Sequence, residues 1–283
     1  MSLMREDYPL DMLLRVSGMS RSTYFYRLGS IRRMQAGSDV DSMISEIFHS
    51  SREEYGCRKI SASLERYGIH MNFKTVSLRM RRLGLVSRYR RKRHRRTGGS
   101  SGYAPNVLNR QFHSEEPMRK LVTDVTEFRT LGRKLYLSPI MDLHDNRVLA
   151  YGLSTRNSWE LVGEMLRRLD ANCRLPENVL IHSDQGALYR CREYLRFAQE
   201  HKVVRSMSGR GSCYDNAVIE SYFGHLKSYL GRLDRVPTDE AARRIEAAIG
   251  HFNGKRIMLK LGGMTPDEYS SRSRKERKEP EKG

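Results

Sequence analysis

The sequence predicts an α/β protein, a mixed sheet with flanking helices, preceded by an all-helical N-terminal region. Three observations point there. Apolar residues repeat at helical spacing through residues 8–86, with no β-type run among them. From residue 115 onward, short runs rich in Val, Ile, Leu, Thr and Tyr alternate with tight turns and then with helical patterns. Between the two regions, residues 87–96 carry seven Lys or Arg in ten positions, a density of like charge that cannot join a packed core.

The elements follow in order. Leu10, Leu13, Leu14 and Val16 make an apolar stripe that Ser17-Gly18-Met19-Ser20 interrupts, and a Ser-capped helix follows; residues 1–35 therefore read as a helix-turn-helix-like element. An ordinary helical hairpin would give the same pattern. Residues 36–86 form a second helical, DNA-binding-like domain. Met43, Ile44, Ile47 and Phe48 mark its first helix, Tyr55 to Gly68 hold its second, and Asn72 to Gly84 its third. Lys74, Arg79, Arg81 and Arg82 give the third helix a cationic face, as a helix docked in a DNA groove would have, though a solvated charged face reads the same way. Residues 87–114 are expected to be a flexible basic linker in which Arg90, Arg91, Lys92 and Arg93 neutralise phosphates.

Residues 115–270 carry the sheet. Strands are expected at 121–128, 134–141 and 147–153, then a helix at 158–171, a strand at 178–182, a helix at 190–201, a strand at 203–207 and helices at 215–231 and 238–252. The order βββ-α-β-α-β-α implies three meandering strands followed by right-handed crossovers. Residues 271–283 read as a charged, disordered tail.

Composition narrows the partner. Lys and Arg number 52 against 33 Asp and Glu, a formal charge of +19, which favours a polyanion. No apolar run approaches the roughly 20 residues that span a bilayer, and the first residues lack a signal-peptide core, so no membrane partner is expected. Four cysteines, Cys57, Cys173, Cys191 and Cys213, form no C-x-x-C pair and read as reduced thiols of a cytoplasmic protein; the nine histidines form no zinc pattern.

Within this cationic chain three acids stand out. Asp124 interrupts the run Leu121 to Phe128, Asp184 ends the apolar run Val179 to Ser183, and Glu220 lies early in a helix after a Gly- and Ser-rich loop. Charges placed in or at the end of apolar strands ordinarily have a function. If the strands bearing Asp124 and Asp184 are parallel neighbours, the two carboxylates meet at one sheet edge and Glu220 approaches from the helix. Three converging carboxylates need compensating cations, and Mg²⁺ or Mn²⁺ suits an all-oxygen set. Two such ions would serve an in-line phosphodiester displacement. Asn216, Glu220 and Lys227 share one helix face, so a ligand would stand beside a phosphate-gripping cation, while Lys227 taken alone reads more readily as a surface lysine. Ser212 and Asp215 have capping-box spacing.

Thr123-Asp124-Val-Thr126, His182-Ser-Asp184-Gln-Gly186, Ser206-Met-Ser208 and Asp215-Asn216-x₃-Glu220-x₆-Lys227 closely resemble the integrase-core transposases of bacterial insertion sequences, second-reading-frame type, with a D-D-35-E signature. Tyr55-Gly-x-Arg58-Lys-Ile60, Asn72-x-Lys74-x-Val76 and Phe252-Asn253-x₂-Arg256-x₄-Leu261-x₄-Pro266 extend the resemblance over about residues 10–270. It implies a ribonuclease-H-like catalytic core, with Asp124, Asp184 and Glu220 as metal-binding catalytic acids. It implies that Asn216 and Lys227 contact the metal shell or DNA, and that no covalent protein–DNA intermediate forms. Water would be activated to cleave a strand at the element's end, and the freed 3′-hydroxyl would attack a second phosphodiester. Partners implied are terminal inverted repeats, target DNA, a first-reading-frame product or fusion, and further copies of the chain on DNA. The chain departs from the family at Leu121, where Trp is usual, and at Met258, where His or Gln is frequent. A terminal-repeat-binding regulator without catalysis and a nuclease without strand transfer are the alternatives.

Overall fold

The structure, a computed structural model, describes residues 9–88, 104–209 and 214–278. Arg90, Arg91, Lys92 and Arg93 lie outside the described residues, as does Ser212 of the expected capping box. The chain divides into two compact units between Ser87 and Arg88.

The first unit is helical: α1 (Leu10–Ser17), α2 (Arg21–Ser50), α3 (Cys57–Glu65) and α4 (Phe73–Arg82). Gly18 ends α1 at φ 66°, a left-handed conformation open to glycine, and Ser20 starts α2 by accepting the Thr23 NH at 3.2 Å. The boundary expected near residue 35 is absent, because α2 runs unbroken for 30 residues across it. The second half of α2 then packs on α3 and α4 through Ile44, Ile47, Phe48, Ile60, Leu64, Val76 and Met80, all buried. Asn72 caps α4, its side-chain oxygen accepting the Lys74 NH at 2.9 Å.

The cationic face of α4 is partly spent inside the unit. Asp41 of α2 accepts from Arg79 at 2.7 Å and also from Arg82, and the two guanidinium groups hold its carboxyl below the usual range against a desolvation that opposes them. Lys74 and Arg81 stay exposed, together with Leu78 at 65%.

The second unit is built on six strands, β1 (Lys120–Thr123), β2 (Thr126–Arg129), β3 (Lys134–Asp142), β4 (Val148–Ser154), β5 (Leu180–Ser183) and β6 (Val204–Met207). The single strand expected at 121–128 is broken at Asp124-Val125: β1 and β2 both pair antiparallel with β3, on either side of the break. β4 borders β3 on its other edge, while β5 lies parallel to β1 and β6 parallel to β5.

Alternation along the strands divides two apolar layers. Leu121, Ile140 and Ile181 pack with α5 (Trp159–Asn172) and with Tyr194 of α6 (Arg192–Glu200). Val122, Met141 and Leu180 pack with α7 (Ala217–Leu230) and α8 (Thr238–Gly254). Leu121, in place of the family's Trp, is wholly buried in the first layer.

Two stretches differ from expectation. Residues 104–114, assigned above to a flexible linker, lie on the sheet: the Met207 NH donates to Pro105 O at 3.3 Å, the Leu108 NH to Ser206 Oγ at 2.9 Å, and Leu108 is 1% exposed in the core. Val107, Leu108 and Phe112 are too few to set a helical or an alternating repeat, so no periodicity marks this stretch. Beyond Ser270, where a disordered tail is expected, α9 (Pro266–Lys278) continues to Lys278. Its turns are tied by Arg272 to Glu276 at 2.7 Å and by Ser273 Oγ to His144 Nε2 at 3.1 Å. Among the described residues, no helix is long and apolar enough to cross a membrane.

Candidate active site

Three elements bring the predicted acids towards one place. The pairing of β1 with β5 sets Val122 opposite His182; continued two residues, it sets Asp124 at the break opposite Asp184 at the end of β5. By alternation both follow residues of the layer that α7 covers. Glu220 lies in the first turn of α7, its NH bonded to Asn216 O at 3.2 Å.

The electrostatics register the convergence. Desolvation, the Asp184 charge and the Glu220 charge push the Asp124 carboxyl well above the usual range, opposed by the Val125 NH and by Lys227. The Val125 NH donates to Asp124 Oδ1 at 2.7 Å, using the NH that the strand break frees. Asp184 is also raised, mainly by desolvation, with the Gly186 NH, 2.8 Å from Oδ1, and Arg190 acting the other way.

Around the acids, hydrogen bonds tie the neighbouring strands together. Thr123 Oγ1, buried, contacts Pro139 O at 2.9 Å and the Tyr189 hydroxyl at 3.2 Å. His182 is fully buried between Ser206 Oγ at 2.8 Å and Ser208 Oγ at 3.1 Å, and burial drives its pKa down to about 4. A neutral imidazole bonded at both nitrogens fastens β5 to β6 just before Asp184. Gln185 Nε2 adds a bond to Ser208 O at 2.8 Å.

The predicted DNA contacts are placed differently. Lys227 is exposed, with Nζ 5.5 Å from the Phe128 ring centre, and its charge acts on Asp124. Asn216, expected to contact the metal shell or DNA, is 4% exposed; its Nδ2 points at Thr123 O, 3.4 Å away, and its Oδ1 is buried with no hydrogen-bond partner among the described residues. Helical spacing shows which residues share a face, but not that Asn216 stands at the turn where α7 meets β1. Asp215 is the described half of the expected capping box, since Ser212 lies outside the described residues. It is 3% exposed and accepts from Arg110 Nε at 2.7 Å, Asn106 Nδ2 at 2.9 Å and the Gly209 NH at 2.8 Å. Asn106 and Arg110 are the residues that sequence reasoning missed, because their partner lies more than a hundred positions away.

The donors suit a hard divalent cation: all are oxygens, the anionic form of Asp124 is destabilised by its neighbours, and the Asn216 oxygen is unsatisfied. Among the described residues, however, no three acidic, His or Cys side chains stand at ligand spacing.

Residues 114–213 match the integrase core domain family and residues 38–93 the HTH-like domain family. A helical HTH-like region followed by an integrase core, on a mixed sheet with flanking helices, defines a class of DNA-recombining proteins. Within it, this chain belongs to the transposases of insertion-sequence elements. It is 43% identical over 272 residues to the putative transposase InsK of insertion sequence element IS150 from Escherichia coli K12, a match covering 95% of this chain and 96% of that protein. The probable transposase of IS1353 from Shigella flexneri is 35% identical over 94% of this chain, which spans 53% of that longer protein. A structure of the HTLV-2 integrase catalytic core domain in complex with magnesium aligns over 53% of this chain and 94% of that one, at 19% identity and a TM-score of 0.40.

Proposed function

We propose that the protein cleaves DNA strands at the ends of its element and joins them to target DNA, with Asp124, Asp184 and Glu220 as the acids of the reaction. The observation that carries this reading is the β1–β5 register, which sets Asp124 opposite Asp184, with Glu220 in the first turn of α7 and its charge acting on Asp124. Mg²⁺ or Mn²⁺, as two ions, would supply the chemistry of activating the attacking oxygen and stabilising the departing one.

The chain's own residues supply the rest. Asp124 and Asp184 would hold the ions where β1 and β5 end, and Glu220 would complete the set as α7 adjusts. Lys227, exposed beside Asp124, would grip a phosphate of the strand being cut. In the first step a water oxygen bonds to phosphorus, the bond from phosphorus to the 3′-oxygen breaks, and that oxygen leaves protonated as a 3′-hydroxyl. In the second step the hydroxyl attacks a target phosphodiester and the target's own 3′-oxygen departs. Bond count is conserved, so joining needs no nucleotide cofactor. Lys74 and the run Arg90, Arg91, Lys92 and Arg93 would bind phosphates of terminal repeats and target. Two ends must be held together, so the active form would be an oligomer on DNA, with a first-reading-frame product as a further partner.

The test uses the full chain, supplied with the first-reading-frame product, on labelled element-end DNA with Mg²⁺ or Mn²⁺. Asp124→Asn, Asp184→Asn and Glu220→Gln are each expected to reduce joined product to background while DNA binding persists. Full joining by Asp124→Asn would overturn the assignment. Nicked but never joined DNA from the wild type would identify a nuclease, and binding without any metal-dependent product a regulator.

A further inference from the structure

We propose that Asp215 is a positioning residue for the active site: held by Arg110 and Asn106, it fixes the helix bearing Glu220 against the strand break bearing Asp124. The inference rests on the proposed role of Glu220 and adds residues 104–110 to the machinery.

The argument begins with a buried charge. A carboxylate at 3% exposure is tolerated only when it is well bonded, and Asp215 has three donors within 2.9 Å. Burial works against its ionisation, but the Arg110 guanidinium and the Gly209 NH outweigh it and hold the carboxyl below the usual range. These donors come from two sides. Gly209 follows β6, so its bond closes the span 209–215. Asn106 and Arg110 belong to the strap that lies along β6, where the Leu108 NH meets Ser206 Oγ. Arg110 also lies over the Tyr214 ring, 5.9 Å from its centre.

The next residue carries the constraint onward. Asn216 reaches Thr123 O through Nδ2, and its own carbonyl receives the Glu220 NH. Thr123, immediately before Asp124, is itself fixed by Pro139 O. Asn216, the cap residue of α7, makes no side-chain cap bond among the described residues, and tertiary bonds at Asp215 and Asn216 fix where the helix starts. A short path then links the latch to both acids: through Asn216 and its hydrogen bond to Thr123 O, the residue before Asp124, and through one helical turn to Glu220. The geometry of a reacting site tolerates little displacement: a shift of about 1 Å costs on the order of 100-fold in rate.

The experiment uses the full chain with Arg110→Ala, Asp215→Asn and Arg110→Lys. Three quantities are measured: thermal melting, hydrogen exchange of residues 217–226 without DNA, and kcat and KM for cleavage of element-end DNA. Arg110→Ala and Asp215→Asn are expected to exchange the first turn of α7 about fivefold faster, with the rest of the sheet unchanged. Their kcat should fall about 10- to 100-fold with KM within about twofold. Arg110→Lys should recover part of both effects. Unchanged exchange at 217–226 would overturn the proposal, as would faster exchange spread over the whole catalytic unit with a lower melting temperature. If the wild type itself shows no cleavage, the functional reading fails and the exchange data alone decide on the latch.

Discussion

A Cβ added at Gly186 would lie 2.7 Å from Oδ1 of Asp184, the oxygen that accepts the Gly186 NH. The neighbour is the end of a side chain rather than backbone, so Gly186→Ala would fold, and the carboxylate would rotate away. Cleavage should fall about tenfold or more while melting moves by no more than about 2 °C. Activity at the wild-type level would show that Asp184 has slack in its placement. Asp124 and Asp184 were legible because each is a charge set in or after an apolar run. Lys227 was legible as a neighbour of the acids, since seven residues return a helix to the same face. Asn216 was not, because periodicity does not say which neighbour a face meets. Arg110 reads in the sequence as one more cation among 52 Lys and Arg, and only the fold reveals its carboxylate.

Elements were legible in proportion to their patterning. The strands at β3 and β4 and the helices α5, α7 and α8 lie within a few residues of expectation because their apolar faces repeat cleanly. Asp124 marks an interruption of the apolar run, but a single charge between β-formers does not show that the pairing itself breaks there. Two tests belong at this scale. Gly152 of β4 lets α5 approach so closely that a Cβ would sit 1.9 Å from Leu161 O, a backbone atom. Gly152→Ala should therefore destabilise the catalytic unit by about 3 kcal/mol, a fall in melting temperature of about 6–10 °C. A shift under about 2 °C would mean that the β4–α5 contact is free to give. Asp142 ends β3, 1% exposed, and burial lifts its pKa to about 6 although the Met118 and His144 NH groups bind it at 2.7 and 3.0 Å. A raised carboxyl favours folding while protonated. Its contribution is therefore full below about pH 4 and lost as pH rises through 6, on the order of 3 kcal/mol at most. Melting of wild type and Asp142→Asn from pH 4.5 to 7.5 should show the wild type losing stability relative to the variant as pH rises; parallel curves would refute the burial argument.

At the scale of the whole molecule, the charge of +19 was legible at once, but its division of labour was not. Arg79, Arg82 and Arg110 satisfy carboxylates within their own units, so fewer cations face DNA than the count suggests. Lys74 remains exposed on α4, and Arg90, Arg91, Lys92 and Arg93 fall at the C-terminal end of the HTH-like match, before the integrase core begins. These four have no expected acidic partner in the sequence around them, where residues 87–110 contain no Asp or Glu. Phosphates are the ligands proposed for them. Each phosphate neutralised releases condensed counterions, with a slope of log K against log salt near −0.9 per contact on duplex DNA. Replacing all four by Ala should flatten the slope by about 3–4. The loss of affinity should be the same for element ends and for unrelated DNA, because phosphate contacts carry no sequence information. Cleavage at saturating DNA should keep its kcat, since the acids and the Asp215 latch lie elsewhere in the chain. Fluorescence anisotropy from 50 to 300 mM salt measures the slope. An unchanged slope would mean that these cations do not touch phosphate, and a loss confined to element ends would make them readers of sequence instead.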